Sequence, residues 1–287
     1  MCGHDETISH ITSRYLHLIT TVRQKLGLPL NAQIFQITMK DADGSDLTYL
    51  VPAPVATGLS PTGRNTCGFS AYDTKGDCVV FLKDTWCVLL PDIIPEGDVY
   101  KHLNEKHVRH IATCLASGDV LGGSNAHTTQ TGCFKDVSWA RPTGAILIAH
   151  VHYRLVLNIV TTPITSFVSS HQYVILSILG RWPSHLILSL AHQDAYEDCN
   201  ILHCDLSVGN IMVHENEGIL IDWDLAKLTR DSGPKQITRT GTWQFMSACL
   251  VANMNTSHDF QDNMESMLYV ILWIMFIFTV SCISDAQ

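Results

Sequence analysis

The sequence has few charged residues, and acidic side chains outnumber basic ones. Charged residues form 16% of the 287-residue chain, whereas soluble domains usually contain about 25%. The formal net charge is −9 at pH 7. Because contacts with nucleic-acid phosphates need clustered Lys and Arg, this balance excludes a general nucleic-acid binder, and we expect no nucleic-acid partner.

Paired cysteine motifs and a secretory leader are also missing. The 10 cysteines are scattered and none belongs to a CxxC pair, which removes the basic unit of zinc ribbons and redox dithiols. The N-terminal residues MCGHDETISH contain neither a basic region nor an apolar run. We therefore expect reduced thiols in a cytoplasmic or nuclear protein.

Apolar residues are plentiful, and their pattern changes along the chain. They form 46% of the sequence, which excludes a disordered chain. Short strands joined by turns are predicted from Tyr49 to about residue 84, and a strand at His150 to Val156. Residues 118–144 are predicted as a Gly-, Ser- and Thr-rich surface insertion. Helices are predicted at Ile11 to Val22, Glu96 to Leu115, Thr165 to Ile178 and Ser184 to Cys199. This layout predicts an α+β fold.

The longest apolar run lies near the C-terminus, at residues 267–283, and contains no charged residue. A membrane-spanning helix needs about 20 apolar residues, and no Lys or Arg follows Arg239 to anchor such a span. We expect a helix buried in a helical lobe. A membrane anchor through 267–283 is the alternative.

Three polar residues in the second half can supply the groups that phosphoryl transfer needs. Asp205 and Asn210 lie in HCDLSVGN, and Asp222 follows a predicted hairpin in LIDWD. Transfer from ATP needs a carboxylate that orients the acceptor hydroxyl, together with oxygen ligands for Mg²⁺. The spacing resembles that of the catalytic loop and metal-binding Asp of protein kinases, which implies that Asp205 is the catalytic carboxylate and that Asn210 and Asp222 are Mg²⁺ ligands.

Four segments, HCDLSVGNI, LIDWDLAKL, RTGTWQFMS and DNMESMLYVILW, together resemble the fungal-type protein kinase family. The resemblance runs from about residue 63 to 273 and is strongest after residue 200. It implies a two-lobed protein-kinase-like fold with a strand-rich N-lobe and an incomplete helical C-lobe, because the chain stops soon after residue 283. The expected divisions are an N-terminal extension at 1–45, an N-lobe at 46–158 and a truncated C-lobe at 159–287.

The resemblance also implies roles for residues in the first half, with ATP and Mg²⁺ as cofactors. Gly63 begins GRNT, which resembles the family's element on the phosphate-covering hairpin. Lys83, in VVFLKDTW, stands where the family has the ATP-contacting Lys. Glu96 stands where a helix Glu pairs with that Lys, and Asp98 is its alternative. Arg154 is the first residue of RLV, which resembles the family's strand that leads into the hinge beside the adenine.

Several positions depart from the protein-kinase pattern. Cys204 replaces the Arg that pairs with a phosphorylated activation loop, so this type of regulation should be absent. Asn263 stands where the family tends to have an Asp that caps the catalytic-loop backbone. Asn263, or the neighbouring Asp262, can still accept one hydrogen bond.

The sequence therefore predicts an ATP-dependent kinase that phosphorylates Ser or Thr of a protein substrate. The first alternative is a nucleotide-binding pseudokinase or scaffold, favoured by Cys204, Asn263 and the short C-lobe. The second is a small-molecule kinase of the aminoglycoside or choline type, favoured by LIDW and opposed by TGTWQFMS. The apolar run at 267–283 predicts poor solubility or a partner that completes the C-lobe.

Overall fold

The computed structural model describes residues 5–41, 43–57, 64–90, 93–134, 136–140, 147–166, 184–215, 217–230, 241–253 and 256–284. The chain forms two compact units. The first comprises Met1–Ile93 and Cys114–Val160, and the second comprises Ile94–Thr113 and Thr161–Gln287.

The first unit is built on one large antiparallel sheet. Its strands run along the sheet in the order β1-β2-β3-β5-β6-β10-β7, and β4 pairs with β5. Strands β8 and β9 form a separate hairpin. The strands are β1 (Ile8–His10), β2 (Phe35–Lys40), β3 (Asp46–Val51), β4 (Ala56–Thr57), β5 (Cys67–Asp73), β6 (Cys78–Val88), β7 (Cys114–Asp119), β8 (Leu121–Gly122), β9 (Asn125–Ala126) and β10 (His150–Leu157).

Alternating side chains build the core of this unit. In β6, Val80 and Leu82 are fully buried and lie on one face of the pleat, because residues two apart in a strand share a face. The same core cluster contains Ile37, Tyr49, Ala71 and Val156. Strand β2 precedes residue 46, where the N-lobe is predicted to begin. It pairs with β3 and so belongs to the same sheet as the predicted N-lobe strands.

The predicted helix at Ile11 to Val22 is shorter than expected, although its apolar stripe does pack. The structure has a 3₁₀ turn at Ser13–Leu18, followed by helix α1 (Ile19–Lys25). Val22 is fully buried against Leu50 and Tyr72, and Ile11 and Tyr15 pack on the same cluster. Two further 3₁₀ turns lie at Gln130–Phe134 and Ser138–Ala140, within the predicted insertion.

The described residues of the second unit form four helices and two small sheets. Its helices are α2 (Glu96–Glu105), α3 (Ser184–Cys199), α4 (Ala248–Ala252) and α5 (Phe260–Ser284), and its strands are β11 (Thr162–Pro163), β12 (Ile201–Leu202), β13 (Ile211–His214), β14 (Glu217–Leu220) and β15 (Lys227–Leu228). Its 3₁₀ turns are Ile164–Ser166, Val208–Asn210, Trp223–Leu225 and Trp243–Phe245. Strand β13 pairs with β11 and β14, and β12 pairs with β15. The helix predicted at Ser184 to Cys199 is confirmed, whereas the one predicted at Thr165 to Ile178 lies mostly outside the described residues.

Helix α2 ends earlier than the sequence predicts. The N–H groups of His107 and Val108 bond the carbonyls of Asn104 and Leu103 at 3.0 and 3.1 Å, and His107 has φ 58°. This left-handed residue with its two returning bonds is a Schellman motif, which terminates a helix. The predicted helix up to Leu115 is therefore wrong, because Cys114–Asp119 forms strand β7.

Helix α5 contains the long apolar run, and only one side of its described side chains, up to Ile277, is covered. Met267, Val270 and Ile274 are buried, whereas Leu268 is 52% and Phe276 66% exposed. Burial on all sides, which the uncharged run predicts, is therefore not observed. Within the part of the chain that the structure describes, no helix combines the length and hydrophobicity needed to span a membrane.

Candidate active site

A short hairpin brings Asn210 and Asp222 close together. Strands β13 and β14 pair with Ile211 opposite Leu220. Asn210 and Ile221, which flank this pair, therefore lie next to each other, and the N–H of Ile221 donates to the carbonyl of Asn210 at 3.0 Å. Asp222 follows directly. The spacing of 12 residues in the sequence thus reflects one two-stranded hairpin.

Asn210 also binds the loop that carries Asp205. Its side-chain nitrogen Nδ2 donates to the Asp205 carbonyl at 2.8 Å and to the Asp205 carboxylate at 3.3 Å. Since an amide nitrogen only donates, this orientation leaves the amide oxygen of Asn210 available as a metal ligand. Asn210 is buried. The structure therefore brings together Asp205 and Asn210, two of the residues with predicted roles.

Thr242 fixes the other oxygen of the Asp205 carboxylate. The N–H and the hydroxyl of Thr242 both donate to Oδ1 of Asp205, at 2.8 and 3.0 Å. The preceding Gly241 has φ 113°, and a Cβ there would lie 3.2 Å from the carbonyl of Cys204. Glycine thus permits this close approach. Thr242 has no role predicted from the sequence, because the contact joins residues that are 37 positions apart.

His203 connects the Asp205 loop to the hairpin. Its Nδ1 accepts the N–H of Asp205 at 3.3 Å, so the proton lies on Nε2, which donates to the carbonyl of Ile221 at 3.0 Å. The ring also meets Trp223 edge-on, with centroids 4.6 Å apart. This histidine is fully buried, and the sequence predicts no functional role for it either.

Two residues of the site have left-handed backbones. Asp222 has φ 64° and Cys204 has φ 65°, conformations that cost a non-glycine residue roughly 1–3 kcal/mol and often occur at functional sites. Trp223, next to Asp222, is fully buried, and the 3₁₀ turn it begins packs against α2. The Cys204 thiol lies in an apolar cluster with Leu202 and Leu225.

Asn263 supports Cys204 from helix α5. The side-chain oxygen of Asn263 accepts the N–H of Cys204 at 3.2 Å, and both groups are buried. This agrees with the prediction that Asn263 or Asp262 accepts one hydrogen bond. Asp262 has a different partner, the hydroxyl of Ser247.

Lys83 lies in the first unit, near the middle of β6. It is opposite Leu155 of β10 and is buried, and the pleat places it on the face opposite to Leu82. The neighbouring Asp84 forms a salt bridge with Arg154 at 2.7 Å. Arg154 is thus part of a buried ion network on the core face.

The same network explains the single group of metal-type ligands found in the described part of the chain. That group is Asp5, Asp84 and His152. The guanidinium of Arg154 bonds both carboxylates, and His152 Nε2 lies 2.6 Å from Asp84. Because Arg154 already supplies a positive charge between the two aspartates, we interpret this group as structural.

The remaining predicted site residues are Glu96 and Gly63. Glu96 is the first residue of α2 in the second unit and is almost completely buried, at 1% exposure, whereas the alternative Asp98 is exposed. This burial favours Glu96 over Asp98 for an internal role. The pairing of Glu96 with Lys83 stays a prediction. Gly63 lies outside the described residues.

The strand-rich first unit and the helical second unit, with the Asp205, Asn210 and Asp222 loops, define a protein-kinase-like fold. The model of the fungal protein kinase family matches residues 3–275, and the chain belongs to that family. This confirms the resemblance noted in the sequence and assigns the chain a kinase-like function. A comparison with curated proteins found no match.

Proposed function

We propose that this chain is an ATP-dependent protein kinase that transfers the γ-phosphoryl group to a Ser or Thr hydroxyl of a protein. The observation that supports this best is the placement of Asp205. One carboxylate oxygen is held by Thr242 and the other by Asn210. A carboxylate fixed in this way can orient a hydroxyl and accept its proton as the phosphoryl group moves.

The donor set of the hairpin fits a magnesium ion. The amide oxygen of Asn210 and the carboxylate of Asp222 are hard oxygen ligands, which Mg²⁺ prefers. Bound MgATP would supply the transferable phosphoryl group and neutralise its developing charge. Lys83 would hold the α- and β-phosphates with Glu96 as its partner, and the segment around Gly63 would cover them.

The contact of Thr242 also bears on the class of substrate. Thr242 belongs to TGTWQFMS, the segment that distinguishes protein kinases from the small-molecule kinases that share LIDW. Because this segment contacts the proposed catalytic carboxylate directly, the contact supports a protein acceptor over an aminoglycoside or choline.

Transfer of labelled phosphate from γ-labelled ATP to a generic basic protein tests the proposal. We expect Mg²⁺-dependent labelling of Ser and Thr, identified by phosphoamino-acid analysis. The matched control is Asp198→Asn, which removes an exposed carboxylate of α3 and should label like wild type. The pseudokinase alternative, which the neutral Asn263 favours, predicts MgATP binding without any labelling.

A further inference from the structure

Two carboxylates of helix α5 anchor the segment that follows Thr242. Ser247 is fully buried and donates its hydroxyl hydrogen to Asp262. Glu265 accepts the backbone N–H of Ala248 at 2.9 Å. Because Asp262 and Glu265 are three residues apart, they lie on the same side of α5.

Both carboxylates are held in place by further hydrogen bonds. Asp262 accepts the N–H of Asp259 at 2.9 Å, and Asp259 accepts the N–H of Asp262 at 3.0 Å, a reciprocal cap at the start of a helix. Glu265 accepts the hydroxyl hydrogen of Tyr269. The bond from Tyr269, and then the one from Ala248, hold the pKa of Glu265 below its usual value.

The chain between this anchor and Thr242 is short, and its own contacts hold it in place. Phe245 is buried and meets Trp273 of α5 edge-on, with centroids 6.3 Å apart. The N–H of Phe245 donates to the carbonyl of Thr242 at 2.9 Å. A displacement of Ser247 is therefore transmitted through one 3₁₀ turn to Thr242.

We propose that Asp262 and Glu265 are positioning residues for the phosphoryl acceptor. They hold the place of Thr242, and Thr242 holds the orientation of the Asp205 carboxylate. This proposal rests on the proposed kinase reaction and extends it to the acceptor side of the site. Its scope is acceptor transfer, because Asp262 and Glu265 bond Ser247 and Ala248, in the segment that follows Thr242.

Two adjacent side chains in the first turn of α5 thus bind two different segments of the chain. The amide of Asn263 holds the backbone of Cys204, while the carboxylate of Asp262 holds Ser247. The neutral amide of Asn263 can accept a hydrogen bond from a backbone N–H. The negative charge of Asp262 strengthens the hydrogen bond that it accepts from the Ser247 hydroxyl. Loss of the Asp262 charge should therefore loosen the segment that follows Thr242, while the hydrogen bond between Asn263 and Cys204 persists.

Hydrogen exchange together with kinetics tests this proposal. The variants are Asp262→Asn and the milder Ser247→Ala, and Asp198→Asn is the control. We expect the Thr242 amide to exchange about tenfold faster or more in both variants, since a hydrogen bond to a charged group is lost. We also expect the kcat/KM for the acceptor protein to fall about 10- to 100-fold, with the melting-temperature shift caused by MgATP unchanged.

The possible outcomes separate this proposal from the proposed function. Wild-type exchange at Thr242 and wild-type acceptor kinetics in both variants would overturn the positioning role. Faster exchange in the variants, combined with no phosphoryl transfer by the wild-type protein, would instead overturn the kinase activity and leave the anchoring of Thr242 established.

Discussion

The side-chain oxygen of Asn263 accepts a hydrogen bond from the backbone N–H of Cys204 at 3.2 Å. Cys204 has a left-handed backbone, with φ 65°, and immediately precedes the proposed catalytic Asp205. A strained conformation persists only where its surroundings hold it. Helix α5 is therefore a structural support of the catalytic loop.

Replacement of Asn263 by Leu should destabilise the protein. The buried N–H of Cys204 would lose its acceptor, which costs about 1–3 kcal/mol. Denaturant unfolding monitored by tryptophan fluorescence measures this loss. The control Asn31→Leu, at an exposed position, should change the free energy of unfolding by less than about 0.5 kcal/mol. Equal stabilities of the two variants would contradict the supporting role.

Removal of the Thr242 hydroxyl should slow turnover. Thr242→Val deletes one of two hydrogen bonds to Asp205 with little change of shape, and we expect kcat to fall about tenfold or more because the carboxylate loses its fixed orientation. Thr242→Ser keeps the hydroxyl and should stay close to wild type. A Thr242→Val enzyme as active as Thr242→Ser would show that the bond is dispensable.

Asp222 and Asp205 should differ in their effect on nucleotide binding. A ligand at 100 times its dissociation constant stabilises a protein by about 2.7 kcal/mol, so MgATP should raise the melting temperature of the wild-type protein. Asp222→Ala should abolish this shift because a Mg²⁺ ligand is lost, whereas Asp205→Asn should keep it. Shifts of equal size in both variants would contradict the assignment of Asp222.

His192 should make stability depend on pH. It is fully buried in α3 and stacks on Phe260 with centroids 5.0 Å apart. Burial, and then the nearby His203 and His258, lower its pKa from 6.5 to about 3. Between these two values the unfolded chain binds a proton that the folded chain does not, so the free energy of unfolding should fall as pH falls from 6.5 toward 3.

Variants at His192 and at an exposed histidine test this effect. His192→Phe should flatten the decline in stability between pH 6.5 and 4, as measured by guanidinium unfolding at several pH values. His17→Gln changes an exposed histidine and should retain the wild-type slope. A slope that is the same in all three proteins would show that His192 is not responsible.

The uncovered side of α5 should promote association. Leu268, Leu272, Met275 and Phe276 are 39–66% exposed, and contiguous apolar surface of this kind favours contacts between molecules. We expect aggregates or oligomers by size-exclusion chromatography at micromolar concentration. Phe276→Glu and Leu268→Glu should reduce them, and a clean monomeric peak for the wild-type protein would contradict the expectation.

Local patterns predicted much of this structure. Helix α3 begins and ends where its apolar stripe indicated, and the hairpin after Asn210 follows from two apolar runs around a turn. The early end of α2 was missed because His107, and not a glycine, adopts the left-handed conformation. Nothing in the local sequence marks that position as a helix terminus.

Two contacts between distant segments have no signal in the sequence. The bonds of Thr242 to Asp205 and of Ser247 to Asp262 join residues that are 37 and 15 positions apart. Both bonds depend on the position in which α5 holds the segment from Thr242 to Ala248. The periodicity of apolar residues does not encode that position. The motif predicts a catalytic role for Asp205, whereas the residues that hold its carboxylate are seen only in the folded structure.

ATP turnover by the purified protein with Mg²⁺ and a basic-protein acceptor, measured for the wild type beside Asp205→Asn, tests the central claim most directly. We predict turnover by the wild type, its loss in Asp205→Asn, and a similar rise in melting temperature with MgATP for both proteins. Equal turnover by the two proteins, or none by the wild type while MgATP still stabilises it, would contradict the account.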